Sequence, residues 1–174
     1  MAKDSWCIAR VRIGAEENVR QRCQEQISSK MLKDCYIFYY EEKRYIHGMW
    51  AVQEKIMFPG YVFLVAEERE TKKINQELRH VTGAIELLKI NDEPAVLTDE
   101  EVNLLLEFGG RRQRVGLSEG VIEWSKVRIF SGPLVGKEKY IRKIDRHKRR
   151  AVLEMPLCGR MQKVQVGLEI VAKT

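Results

Sequence analysis

Met57-Phe58-Pro59-Gly60-Tyr61-Val62-Phe63 is the stretch on which the reading of this chain turns. The residues around it, from Ile56 to Val65, are aromatic, β-branched and apolar, the composition of a strand. Pro59-Gly60 breaks into that strand, because proline has no N–H for a ladder and glycine marks a close approach of backbones. The pair is expected to turn Phe58 and Tyr61 outward as an aromatic surface.

Upstream, Trp6 to Ile13 alternates in part and ends at Gly14, a first strand. Glu16 and Glu17 open a helix at its positive end, and Val19, Cys23 and Ile27, four residues apart, form its buried stripe. Cys23 reads as core, since a cysteine on such a stripe behaves as a small hydrophobe. Tyr36 to Tyr40 is a second strand, and the charged stretch Glu41 to Lys55, with Gly48 inside it, is a long hairpin or loop. Downstream, Ile74, Leu78 and Val81 mark a second helix. Ala84 to Ile90 is a fourth strand and Asp92-Glu93-Pro94 a turn. Thr98 and Glu101 make a capping box for a third helix with Val102, Leu105 and Leu106 on its apolar face. The order β-α-β-β-α-β-α predicts an α+β fold, an antiparallel sheet flanked by helices.

Past Phe108 the composition changes. Residues 108–120 hold four glycines and three arginines with little periodicity, which predicts a flexible linker over 109–120 between domains at 1–108 and 121–174. In the second domain Val127 and Ile129, then Ala151, Leu153 and Met155, then Val164 and Val166 alternate with polar residues. Turn residues such as Ser131-Gly132-Pro133 separate these runs, so the expectation is a small all-β barrel. Ile141, Ile144 and Lys148 also fit a helical spacing, with strand favoured.

Charge divides along the same line. The 174 residues carry +6 in all, but residues 1–110 carry −4 and residues 111–174 carry +10. Such asymmetry points to a nucleic-acid-facing segment joined to a different module. Between 137 and 150, Lys137, Lys139, Arg142, Lys143, Arg146, Lys148, Arg149 and Arg150 stand against two acids. On paired strands and their turn they are expected to form one cationic surface for phosphate, with His147 and Tyr140 stacking on unpaired bases. The other reading is a solubilising sheet edge.

Several classes are excluded. No run of ~18 uncharged apolar residues exists to cross a membrane, and the start Met1-Ala2-Lys3-Asp4 lacks the apolar centre of a signal segment. Cys7, Cys23, Cys35 and Cys158 are scattered, and His47, His80 and His147 do not complete a ligand set, so neither metal nor cofactor is expected. No Ser-His-Asp order, phosphate loop, dinucleotide fingerprint or paired carboxylates stand out, so an enzyme is not expected. The chain reads as cytoplasmic, reduced and monomeric.

The Met57–Phe63 segment resembles the FPGY signature of the NusG family of bacterial transcription elongation factors. Trp6 with its strand, Val81-Thr82-Gly83 before the fourth strand, and Glu93-Pro94 leading to Thr98-Asp99-Glu100-Glu101-Val102 agree in order. The tail is similar to a KOW domain through Val127-Arg128-Ile129 and Ser131-Gly132-Pro133-Leu134. The resemblance spans nearly the whole chain and implies an NGN domain followed by an SH3-like KOW barrel. It implies that Trp6, Phe58, Pro59 and Tyr61 receive the clamp helices of RNA polymerase, with non-template DNA as a further contact. Two positions depart from the family pattern. Lys139 stands where the KOW signature closes on glycine, and Leu157-Cys158 stands where a bulkier apolar pair meets ribosomal protein or Rho. With these departures the chain resembles a specialised paralog such as the LoaP antiterminator branch, which implies antitermination with a structured leader RNA on the basic tail. The alternatives are a stand-alone KOW-type RNA-binding or ribosome-associated protein, and a housekeeping NusG coupling polymerase to ribosome or Rho.

Overall fold

The computed structural model describes residues 3–174; Met1 and Ala2, part of the start read against a signal segment, lie outside the described residues. In chain order come β1 (Asp4–Val11), α1 (Glu16–Gln26), β2 (Leu32–Tyr36), β3 (Tyr39–Ile46), β4 (Met49–Ile56), β5 (Tyr61–Glu67) and α2 (Thr71–Leu78). There follow β6 (Ala84–Leu87), β7 (Lys89–Ile90), β8 (Glu93–Pro94) and α3 (Asp99–Gly109). The remainder is β9 (Arg114–Val115), β10 (Ser118–Glu123), β11 (Lys126–Ser131), β12 (Ile141–Asp145), β13 (Arg150–Leu157) and β14 (Arg160–Lys173). The α+β class is as expected. Two compact units form: the described residues up to Ile37 with Phe58–Val102, and Phe38–Met57 with Asn103–Thr174.

The first unit is built on a sheet of order β2-β5-β1-β6 in which every neighbour is antiparallel. Residues opposite one another in such a pair share a face, so Cys7, Ala9, Val62, Leu64 and Cys35 look one way. Helix α1 buries Val19 and Cys23, and the Cys23 side chain meets Cys35. The hydrogen bond with Cys23, followed by burial, holds the Cys35 thiol far above its usual range, so it stays protonated. Helix α2 buries Ile74 and Leu78, and Asn75 Oδ1 accepts the Leu87 N–H at 2.9 Å, pinning β6. The opposite face carries Trp6, Ile8, Tyr36, Tyr61 and Phe63.

The second unit holds two sheets, β4-β3-β9 and β11-β10-β14-β13-β12. The charged stretch after Tyr40 is a hairpin: β3 and β4 pair from Tyr39↔Ile56 to Ile46↔Met49, around His47 and Gly48 at φ 48° and 82°. Left-handed residues at both central positions make the hairpin turn that matches strand twist. Strand β14 pairs antiparallel with β13 over its first half and parallel with β10 over its second. At the changeover sits Gly167, where a Cβ would lie 2.2 Å from the carbonyl oxygen of Glu41. Only glycine lets β3 pass that close.

Several boundaries differ from expectation. Ile56 to Val65 is the end of β4, a turn at 57–60 and then β5. The segment Tyr36 to Tyr40 divides into β2 and β3, and Ala84 to Ile90 divides at Leu88 into β6 and β7. In α3 the buried side chains are those of Glu101, Leu104, Leu105 and Phe108, whereas Leu106 is 40% exposed. That stripe follows i, i+3, i+4 and i+7 and turns the helix away from Leu106. Within 109–120 the chain forms a 3-10 turn at Gly110–Arg112, the strand β9 beside β3, and the start of β10. The stretch Ile141–Asp145 is a strand, because β13 offers it a partner.

Candidate functional site

The turn at Phe58–Tyr61 is fastened from below by a carboxylate. Gly60, at φ 85°, donates its N–H to Glu16 Oε1 at 2.8 Å, and Gly14 donates to Glu16 Oε2 at 2.8 Å. Val11 N–H reaches the Gly60 carbonyl at 2.8 Å, and Tyr61 N–H reaches that of Phe58 at 3.1 Å. Glu16 is 1% exposed, so these charge-assisted bonds form away from water, where they are strong. Phe58 does not turn outward. It is 2% exposed and meets Phe63 edge-on at 5.2 Å, because the fastened turn folds the ring inward, and burying it gains about 2 kcal/mol.

What faces solvent is Pro59, with Tyr61 and Trp6 half-buried. Trp6 lies opposite Val65 and tilts on Tyr36 at 5.3 Å, while Tyr61 lies opposite Arg10. Trp6 and Tyr61 therefore share a face but stand about 13 Å apart along the strand. Trp6 also lines a cleft of about 320 Å³ together with Leu97 and Val102.

The tail cations do not form one uniform surface. Lys137 pairs with Glu107 at 2.6 Å, and Arg142 with Glu154 at 2.9 Å. Arg149 pairs with Glu169 at 3.1 Å, and Arg150 reaches Glu42 at 4.0 Å. Lys139, Lys143, Arg146 and Lys148 are exposed. Lys143, Arg146, His147 and Arg149 come together around a cleft of about 480 Å³ at the β12–β13 turn. There the Lys148 N–H donates to Asp145 Oδ1 at 2.9 Å, which, with Lys148, Arg150 and His147 nearby, holds the Asp145 carboxyl below its usual range. Tyr140 is half-buried: its ring meets Phe108 edge-on at 6.2 Å and carries Lys139 above it. Among the described residues, no group of His, Cys, Asp and Glu side chains is placed to hold a metal ion, and no helix is long and apolar enough to cross a membrane.

A family model described as "Transcription termination factor nusG" matches residues 4–106. The chain belongs to the NusG family. The similarity of fold runs further, to a solved structure described as "Domain interaction in Thermotoga maritima NusG", at 16% identity and a TM-score of 0.52, over 95% of this chain and 94% of that one. No curated protein sequence matches significantly. NusG-family members are transcription factors that bind RNA polymerase, and the chain takes its place among them on the strength of the matched region.

Sequence reasoning missed two groups of residues in this NusG-family chain. In the sequence Glu16 is a helix opener, and nothing local signals that its carboxylate reaches Gly60, 44 positions on. The second group is on the β3–β4 hairpin, where Lys43, Arg44, Tyr45, Trp50 and Lys55 line a cleft of about 280 Å³ with His147, Lys148 and Arg150. Two aromatics flanking the turn of a hairpin rich in charge, Tyr45 and Trp50, were the available signal.

Proposed function

We propose that this NusG-family protein is a cytoplasmic, non-enzymatic transcription elongation factor that promotes processive antitermination in the manner of the LoaP branch. Residues 1–108 bind the polymerase clamp helices, 109–120 link, and 121–174 are a KOW domain whose basic residues contact structured leader RNA. The observation that carries this reading is the family match over residues 4–106 joined to a tail of charge +10. An aromatic, part-exposed face at Pro59, Tyr61 and Trp6 suits the receipt of amphipathic helices, and Phe58 supports that face from beneath. Non-template DNA is a further contact within this reading.

RNA is favoured over ribosomal protein or Rho as the tail's partner by the β13–β14 turn. Leu157 and Cys158 are 3% and 4% exposed, and Cys158-Gly159 close the hairpin at φ 50° and 72°, so this pair is withdrawn from a protein partner, with Met161 beside it at 53% exposure. The test has two arms. Tyr61→Ala in the full chain is expected to weaken co-purification with RNA polymerase at least tenfold, as truncating an aromatic anchor costs about 2 kcal/mol; unchanged affinity overturns the docking face. Transcription in vitro through a terminator behind the chain's own leader is expected to read through more often with the protein present. Equal termination with and without it overturns antitermination.

A further inference from the structure

The β3–β4 hairpin ends in two aromatic rings in contact, Tyr45 and Trp50, with centroids 5.4 Å apart and planes at 59°. Tyr45 is 64% exposed and Trp50 46%. Rings this exposed on a hairpin tip are not core, and the hairpin is not left loose. The Glu42 carboxylate, 3% exposed, takes Lys55 at 2.8 Å and Arg150 at 4.0 Å, and Glu169 takes Lys43 at 2.5 Å and Arg149 at 3.1 Å. Arg149, in the left-handed region at φ 52°, lays its guanidinium 3.5 Å over the Trp50 ring. A non-glycine residue held there is strained, and here it presents a cation stacked on an indole.

The result is a cleft in which Arg44, Lys55, Lys148 and Arg150 surround the Tyr45–Trp50 pair, with Glu42 as the one carboxylate lining it. Flat rings, a stacked guanidinium and a surplus of cations are what unpaired nucleotides need: π-faces for bases and charge for the backbone. A duplex has its bases already stacked and offers only phosphate. Arg44, Lys55 and Arg150 share the single Glu42 carboxylate and Lys148 stands beside them, so an apolar protein segment would leave the excess of positive charge unbalanced.

We propose that the hairpin tip and the β12–β13 turn form one base-stacking subsite that holds unpaired RNA nucleotides adjoining the structured element bound by the basic tail. The subsite rests on the reading of the tail as RNA-binding, and it assigns Tyr45, Trp50 and Arg149 the stacking.

The full-length chain is titrated at low salt with an RNA hairpin carrying an unpaired oligoadenosine flank, with the same hairpin made blunt, and with the flank alone as DNA. A 2-aminopurine in the flank reports stacking. The wild type is expected to bind the flanked RNA about tenfold tighter than the blunt one and to quench the 2-aminopurine. Trp50→Ala and Tyr45→Ala are expected to lose that preference and the quench while keeping affinity for the blunt hairpin, and Trp50→Phe to restore much of both. Equal affinity of the wild type for flanked and blunt RNA, or a preference that survives Trp50→Ala and Tyr45→Ala, overturns the subsite and leaves the tail reading intact. Binding to neither hairpin overturns the tail reading and the subsite with it. DNA held as tightly as flanked RNA overturns RNA as the ligand.

Discussion

Glu16 shows how much one side chain does in this protein. Its two oxygens accept the N–H groups of Gly14 and Gly60, so a residue at the start of α1 holds the turn that precedes β5. Glu16→Ala leaves both donors without their acceptor and is expected to cost about 3 kcal/mol or more, given about 1.5–3 kcal/mol for a hydrogen bond to a charged group. Glu16→Gln keeps one acceptor oxygen and recovers part of the loss; urea denaturation of the three proteins checks the order. Tyr40 supplies a pH dependence. Burial first, and the Glu42 carboxylate next, push its hydroxyl up to about 12. The fold thus favours the protonated form: stability is full below about pH 10, where unfolded tyrosine ionises, and falls as pH rises toward 12. Denaturation midpoints between pH 9 and 11.5 are expected to decline more steeply in the wild type than in Tyr40→Phe.

At the scale of elements, the β3–β4 hairpin and β14 are fitted to each other by the absence of a side chain. An alanine at Gly167 would set its Cβ 2.2 Å from the Glu41 oxygen and 2.7 Å from a Leu117 methyl carbon. Backbone on one side leaves little room to yield, so Gly167→Ala is expected to cost about 3 kcal/mol, at the upper end for overpacking. Hydrogen exchange checks the location: the β3 and β4 amides are expected to lose protection first. Helices α1 and α3 show what spacing settles and what it leaves to packing. The stripe Val19, Cys23 and Ile27 is buried as its spacing requires, and Glu101 N–H donates to Thr98 Oγ1 at 3.2 Å as a capping residue should. Leu106 lies on the exposed face against expectation: Leu104, Leu105 and Leu106 are chemically alike, and only the packing of the helix selects among them.

Across the whole molecule the basic tail is divided into cations already spent on acids and cations open to a ligand. Lys137 is held by Glu107, whereas Lys143, Arg146 and Lys148 are exposed. RNA affinity of the full-length chain is therefore expected to fall steeply with salt. Replacing Lys143, Arg146 and Lys148 together by alanine is expected to lower the slope of log affinity against log salt by about 2, at ~0.7 per phosphate contact. Lys137→Ala is expected to leave the slope unchanged. A salt titration of the three proteins against one structured RNA decides this, and equal slopes would make the run a solvated edge.

Local chemistry alone determined a good deal: the α+β class, the helix stripes, the interruption at Pro59-Gly60, and the charge division between the first 110 residues and the last 64. Those are properties of neighbouring residues, and period, propensity and charge are additive along the chain. What tertiary structure decided is where distant residues meet. The turn by itself predicts Phe58 outward, and it lies inward because Phe63 receives it and Glu16 holds the turn. Nothing local to the hairpin marks what its aromatics meet, yet Trp50 lies under Arg149, 99 positions away. The cationic run looked uniform until Glu107, Glu154, Glu169 and Glu42 claimed four of its members. Pairings of that kind depend on register and on close approach between strands, and no spacing within a single segment encodes them.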